Sequence, residues 1–162
     1  MRGSGNLDII HYEEIESTNK TAKEMLRAGH IAPFCIVADT QTGGVGRAGK
    51  TFWSPRGGLY MTAVLHESHF EQEIITSIVA ERLAGLLRFA SKGVTIKGVN
   101  DIMLDGKKVA GILVEKVKDC FIIGIGINIK PQEVPKELEG IVGFLGGKVE
   151  IDEIIKLLSN CV

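Results

Sequence analysis

Between residues 94 and 129 the chain places its apolar segments so close together that only hairpins can join them. The segments 94–97, 102–104, 107–115 and 120–129 are separated by a few residues each, too few for the crossover of a dozen or more that a parallel pair requires. Asp105-Gly106 is a dipeptide favoured in a two-residue hairpin turn, because both positions tolerate positive φ. The run CFIIGIGINI at 120–129 is apolar almost throughout, the pattern of a central strand. Its Gly124 and Gly126 admit close approach by another group. A sheet built from these segments is mainly antiparallel.

Upstream, helices and strands mix without regular alternation. Residues 8–12 read as a short strand, and 18–28 as a helix with Ser17 or Thr18 as N-cap and Gly29 directly after its end. FCIVAD at 34–39 and LYMTAVL at 59–65 are strands rich in β-formers. Residues 71–90 form the longest helix, with Ile74, Ile75, Ile78, Val79, Leu83, Leu86 and Leu87 at helical spacing. After an irregular connection over 131–147, residues 151–158 close the chain as a helix with Glu150 or Asp152 as a weak cap. The pattern predicts an α+β fold: a mainly antiparallel mixed sheet with helices packed against one face. At 162 residues the chain suits a single domain, 1–162.

Nineteen basic against twenty acidic residues leave a net charge of −1, so no global electrostatic pull toward DNA is expected. Cys35, Cys120 and Cys161 are odd in number, far apart and without a CxxC pair, as in a reduced cytoplasmic protein. The four histidines have no metal-like or triad spacing and are read as structural. No apolar run approaches the roughly 20 residues of a membrane span, and residues 1–7 lack the apolar centre of a signal peptide. These features predict a soluble cytoplasmic protein with neither DNA nor membrane as partner.

Three segments carry candidate chemistry. TQTGGVGRAGKTFWSP at 40–55 breaks all periodicity. Its glycines let backbone N–H groups turn toward an anion, with Arg47 and Lys50 adding positive charge. It matches neither a P-loop nor a dinucleotide fingerprint, and a flexible surface loop is the alternative. Phe52 and Trp53 weigh against that alternative, because large aromatics in a loop bury against something, such as a nucleobase. In KGVND at 97–101, Asn100 and Asp101 sit at a strand–turn boundary where they would meet a nucleotide or Mg²⁺. Lys108 opens an apolar strand, in a cleft or else in a solvated hairpin. ESTN at 16–19 is either a plain helix N-cap or a set of hydrogen-bonding groups for a polar ligand head.

Taken in order, ESTN, QTGGVGRAGK, SPRGGLY, KGVND, KKVAGILVE and GIGINI resemble the biotin–protein ligases. That family shows an STN element, then QT-x-GRGR-x-GR-x-W-x-SP, GGLY, KWPND, K-x-AGIL-x-E and GIGIN. The six blocks span residues 16–129 in matching order and spacing. Lipoate ligases would instead show an Arg-Arg-rich, triple-glycine motif ending near a His-Asp pair. The resemblance implies a class II synthetase-like biotin/lipoate ligase fold. It also implies an ATP-dependent enzyme that makes biotinyl-5′-AMP and passes biotin to a lysine of a carrier. The carrier would be the biotin carboxyl carrier domain of acetyl-CoA carboxylase or another biotin enzyme.

The same resemblance assigns residues. Lys108 and Arg47 would be catalytic. Ser17, Thr18, Asn19, Gln41, Gly44, Arg47, Tyr60, Lys108, Gly111 and Gly124 would bind biotin, Ser17 and Thr18 at its ureido head. Arg47, Lys50, Trp53, Asn100, Asp101 and Asn128 would bind the nucleotide, with Asp101 also holding Mg²⁺. Family habit and the apolar segment 120–129 suggest a homodimer.

Several positions depart from the family pattern. Val45 replaces the first loop arginine, Lys50 a later one, and Gly98-Val99 a Trp-Pro pair, while Phe52 takes the tryptophan slot. The chain has no room for the family's C-terminal barrel or its DNA-binding domain. These departures sustain two alternatives: a non-catalytic biotin- or biotinyl-AMP-binding module, and a ligase for another small acid such as lipoate.

Overall fold

The computed structural model describes residues 7–161; of the stretch read above for a targeting signal, residues 1–6 lie outside it. One seven-stranded sheet organises the chain. In chain order its elements are β1 (Asp8–Ile15), α1 (Thr18–Arg27), β2 (Phe34–Gln41), β3 (Leu59–His66), α2 (Gln72–Ala90), β4 (Thr95–Lys97), β5 (Asp101–Leu104), β6 (Lys107–Val117), β7 (Cys120–Ile127) and α3 (Ile151–Ser159). The spatial strand order is β1-β2-β3-β7-β6-β5-β4. All neighbours pair antiparallel except β1 and β2, which α1 joins as a crossover. The sheet is thus mixed and mainly antiparallel, as the hairpin spacing predicts.

Helices cover both faces of the sheet, not one as expected. α1 lays Ala22 and Leu26 against Phe34, Ile36, Val64 and Ile122. On the other face, Ile75, Val79, Leu83 and Leu87 of α2 pack on Cys35, Val37, Met61, Ala63 and Ile123, and α3 adds Ile154 and Leu158. The sign of this was present in the strands: Phe34–Ala38 are buried without interruption, and a run apolar at every position requires cover on both sides.

Strand ends also differ from expectation. β1 continues to Ile15 because its parallel pairing with β2 runs to Gln41. β7 ends at Ile127, short of the expected 129; Asn128 N–H still reaches Val109 O at 2.8 Å, while Leu145 N–H donates to Asn128 O from the following connection. The strand lies between β3 and β6, so the apolar segment 120–127 offers no edge to a second copy.

One irregularity positions the chemistry. The β5–β6 register shifts between Ile102 and Met103, which leaves Val109 without a partner on β5. Val109, Ala110, Ile112 and Val114 all belong to the α2-side core. Strict alternation from Ala110 would send Lys108 into that core too. The bulge makes two successive residues share a face, so Lys108 emerges on the α1 side instead.

Candidate active site

The α1 face changes character along its length. Near β1 it is an apolar layer; toward β6 it opens into a narrow cleft lined by Ser17, Thr18, Asn19, Gln41, Arg47, Phe52, Lys108 and the glycines at 111, 124 and 126, with Asn100 and the exposed Val45 also on its wall. The N-terminus of α1 supplies the first three, all more than nine-tenths buried. Ser17 is the N-cap, its Oγ accepting from Lys20 N–H at 3.3 Å. Gln41 Oε1 accepts from Thr18 N–H at 2.8 Å, and Gln41 Nε2 donates to Ser54 Oγ at 2.9 Å. ESTN is therefore a helix cap and a cleft wall at once.

The glycine-rich segment is pinned at its base. Isolated bridges join Gln41 to Ser54 and Val45 to Thr51. Ser54 Oγ donates to Phe52 O, and Phe52 N–H to Gly44 O, both at 2.8 Å. A Cβ on Gly44 would meet Phe52 O at 2.4 Å, so Gly44 packs under the loop instead of facing the cleft. The Phe52 ring lies where side chains at 111 and 126 would be. A Cβ on Gly126 would come within 2.4 Å of it and one on Gly111 within 3.0 Å. The third cleft glycine, Gly124, makes room for Asn19, whose Oδ1 would be 2.1 Å from an added Cβ. These glycines accommodate the protein's own Phe52 and Asn19, which then form the surface a ligand meets.

Two cations face the cleft. Arg47 Nη1 donates to Asn100 Oδ1 at 2.8 Å, which ties the glycine-rich loop to the 98–100 turn. Lys108 Nζ is 2.8 Å from Asp101 Oδ1 and 5.5 Å from the centre of the Phe52 ring. Asp101 Oδ1 lies off the hydrogen-bond direction from Lys108 and has no other donor, and Asn128 Oδ1 is likewise buried without one. Such oxygens are the donor type that Mg²⁺ prefers.

The other predicted positions stand outside the cleft. Tyr60 is buried behind Phe52, ring to ring at 6.4 Å, and its hydroxyl donates to Pro55 O at 2.6 Å. Burial pushes its pKa up, so it stays a neutral phenol. Trp53 turns away to meet Phe144 edge-on at 6.3 Å, since both aromatics find apolar cover there and not over the cleft. Lys50 is exposed at the outer end of the loop, where its backbone closes the turn with Gly46. Asp101 and Asn128 flank Lys108 from beneath, Asn128 Nδ2 reaching Lys108 O at 3.4 Å.

The sequence marks Gly126 as open to close approach and Phe52 as buried against something, but not that they meet each other to form a cleft wall, and it does not mark the residues behind the ESTN segment. Those are Thr62 and Glu115, which bond Asn19 from two sides. Thr62 carried one available signal: it is the one aliphatic hydroxyl in the largely apolar run LYMTAVL.

Residues 12–128 match the Biotin/lipoate A/B protein ligase family. The chain belongs to that family. Within it, the chain is 32% identical over 168 residues to the bifunctional ligase/repressor BirA of Bacillus subtilis, covering 94% of this chain and 52% of that protein. It is 27% identical over 163 residues to a biotin–[acetyl-CoA-carboxylase] ligase of Paracoccus denitrificans, covering 89% and 67%. Among solved structures, the biotin protein ligase of Aquifex aeolicus in complex with biotin and ATP superposes with a TM-score of 0.80 at 29% identity, covering 95% and 68%. The chain thus spans about half the length of the Bacillus family member. Among the described residues no helix is long and apolar enough to cross a membrane, and no three His, Cys, Asp or Glu residues gather as a metal site.

Proposed function

We propose that this domain is a biotin–protein ligase, which activates biotin with ATP and transfers it to a lysine of a biotin carboxyl carrier domain. The observation that carries this reading is the convergence of Arg47 and Lys108 on one cleft whose far end is lined by Ser17, Thr18 and Asn19. One end suits a neutral polar ring and the other two anions. Biotin has that polarity, and its carboxylate must approach a polyphosphate.

In the first step a biotin carboxylate oxygen attacks the α-phosphorus of ATP. A new P–O bond forms, the bond to the β-phosphate bridging oxygen breaks, and pyrophosphate leaves. Lys108 and Arg47 offset the repulsion between the two anions and stabilise charge gathering at phosphorus. Asp101 and Asn100 hold these cations in place at 2.8 Å each. Mg²⁺ would be held by Asp101 and Asn128 and would neutralise phosphate charge. In the second step the carrier's lysine amine attacks the acyl carbonyl and AMP departs. The Phe52 plate and the glycine-rich loop limit water at the mixed anhydride meanwhile.

The same reading makes the protein cytoplasmic and homodimeric, a second copy meeting the sheet at an edge, β1 or β4, and gives it no DNA partner. A dimer mass by light scattering is expected.

Incubation with biotin and Mg-ATP should yield biotinyl-5′-AMP, read by mass spectrometry. Val45, exposed at the cleft mouth where the family carries arginine, favours one rival, a module that binds biotin without activating it. Binding of biotin with no adenylate would select that rival, and consumption of ATP with lipoate alone would select a different acid.

A further inference from the structure

Lys108 stands where two strands part. The β6–β7 ladder runs only to Ala110 and Ile127, and its last backbone bond is the one from Asn128 N–H to Val109 O. Beyond that point the segment 141–146 enters between β6 and the chain that continues β7. On one side Lys108 N–H donates to Ile141 O at 2.8 Å and Gly143 N–H to Lys108 O at 2.9 Å, a parallel bridge centred on Val142. On the other side Leu145 N–H donates to Asn128 O at 2.8 Å and Gly146 N–H to Ile129 O at 3.0 Å. The segment is a wedge, and Leu145 anchors it in the α2-side core.

The backbone of Lys108 is thus held by the wedge, whereas the residues that follow it on β6 are held by β7. The approach is closest at Gly143. A Cβ there would lie 2.7 Å from Lys107 Cβ and 3.4 Å from Val109 Cγ1, and Lys107 Cβ moves only with the strand itself. The next residue, Phe144, meets Trp53 edge-on, so the wedge also touches the loop that carries Arg47 and Phe52.

We propose that this wedge sets how far the Lys108 ammonium reaches into the cleft. Gly143 and Phe144 are its positioning residues: Gly143 lets the wedge close on the lysine's peptide, and Phe144 ties the wedge to the glycine-rich loop through Trp53. Neither touches a reacting atom. The bulge in β6 aims Lys108 at the cleft, and the wedge fixes its distance. Accuracy matters there, because a cation that stabilises charge at phosphorus loses much of its effect when displaced by about 1 Å. The inference rests on the ligase reading and adds to it a source for the lysine's placement.

Adenylate formation by Gly143→Ala, Phe144→Ala and Phe144→Tyr, each with Lys108 present and in the Lys108→Ala background, tests it. Gly143→Ala forces the wedge off β6 and should lower kcat about thirtyfold, with KM for biotin within about twofold. Phe144→Ala should lower kcat roughly fivefold. It should also shift the emission of Trp53, the chain's one tryptophan, to longer wavelength as its apolar cover goes. Phe144→Tyr keeps the ring contact and should match the parent in both readouts. In Lys108→Ala there is no ammonium to place, so the kcat losses should vanish. A parental kcat in Gly143→Ala, a loss carried by KM for biotin, or the same loss with and without the lysine overturns the inference. If Gly143→Ala does not fold, the Phe144 pair decides by the same criteria. If the parent makes no adenylate from biotin and Mg-ATP, the ligase reading falls and takes this inference with it; unaltered variants of an active parent overturn the inference alone.

Discussion

The two faces of β6 and β7 do opposite work with adjacent residues. On the α2 side, Ile112, Val114, Ile123, Ile125 and Ile127 interlock with α2 in a closed apolar layer. On the α1 side, Gly111 next to Ile112 and Gly124 and Gly126 between the isoleucines of β7 leave space that holds Phe52, Asn19 and Lys108, while Leu113 keeps a side chain on that face. Branched side chains on one face keep the strands rigid while absent side chains on the other make a cradle. A binding surface placed on central strands gains its accuracy from the core one residue away.

Four measurements would break or sharpen that comparison. The largest effect is expected at the cleft: Lys108→Ala should reduce adenylate formation by about a thousandfold or more, with thermal stability nearly unchanged. A variant that still makes adenylate normally would end the assignment of Lys108.

Next come two neighbours on opposite faces. Ile123→Ala empties a fully buried core position and should cost roughly 2–4 kcal/mol of stability, with KM for biotin retained. Gly124→Ala puts a Cβ where Asn19 now lies and should lower biotin affinity about tenfold at a smaller cost in stability. Denaturant melts and biotin titrations of the two should give crossed results; parallel losses would mean the faces are not separable.

A smaller effect is expected at the rim of the sheet. His11 Nε2 and Arg56 Nη1 bond Asp39 at 2.8 and 3.2 Å. His11, chiefly through its hydrogen bond, and Arg56 hold the Asp39 carboxyl below the ordinary 3.8. A folded pKa below the unfolded one stabilises the fold above pH 3.8, and that contribution disappears as the pH falls through the lowered value. Asp39→Asn should therefore be less stable than the parent by under about 1 kcal/mol at neutral pH. The difference should narrow as the pH falls below 3.8 through the lowered value, measured by thermal melts across pH.

The smallest effect concerns Cys35, whose thiol burial pushes up to about 12. Its alkylation at pH 8 should track global opening of the domain, and rapid modification of the folded protein would show that the α2-side layer is looser than its packing indicates.

Much of this was legible in the residues. Hairpin spacing located β4 to β7 and their antiparallel order, and the apolar density of 120–127 located the centre of the sheet. ESTN, the glycine-rich loop and Lys108 were each suspect by their chemistry. Less was readable where partners lie far apart in the chain. Glu115 meets Asn19 across 96 positions and Arg47 meets Asn100 across 53, and no local pattern encodes such pairs. Cover on both faces is encoded in 34–38 only by its missing polar positions, a weaker signal than the β-propensity of the same residues. The place of Trp53 in the loop points to a nucleobase, whereas Phe144, 91 positions later, gives it apolar cover.

The unpaired Val109 has a practical corollary for editing the gene. Every residue on the turn side of it, from Asp105 to Lys108, owes its orientation to that single extra position. Deleting one codon there would keep the hairpin and its hydrophobic content while exchanging the two sides of its tip, carrying the lysine ammonium from ligand toward oil. Adding a residue at the exposed Asp105-Gly106 apex leaves Val109 in place. A peptide tag grafted at that apex would therefore be the gentler alteration of the two.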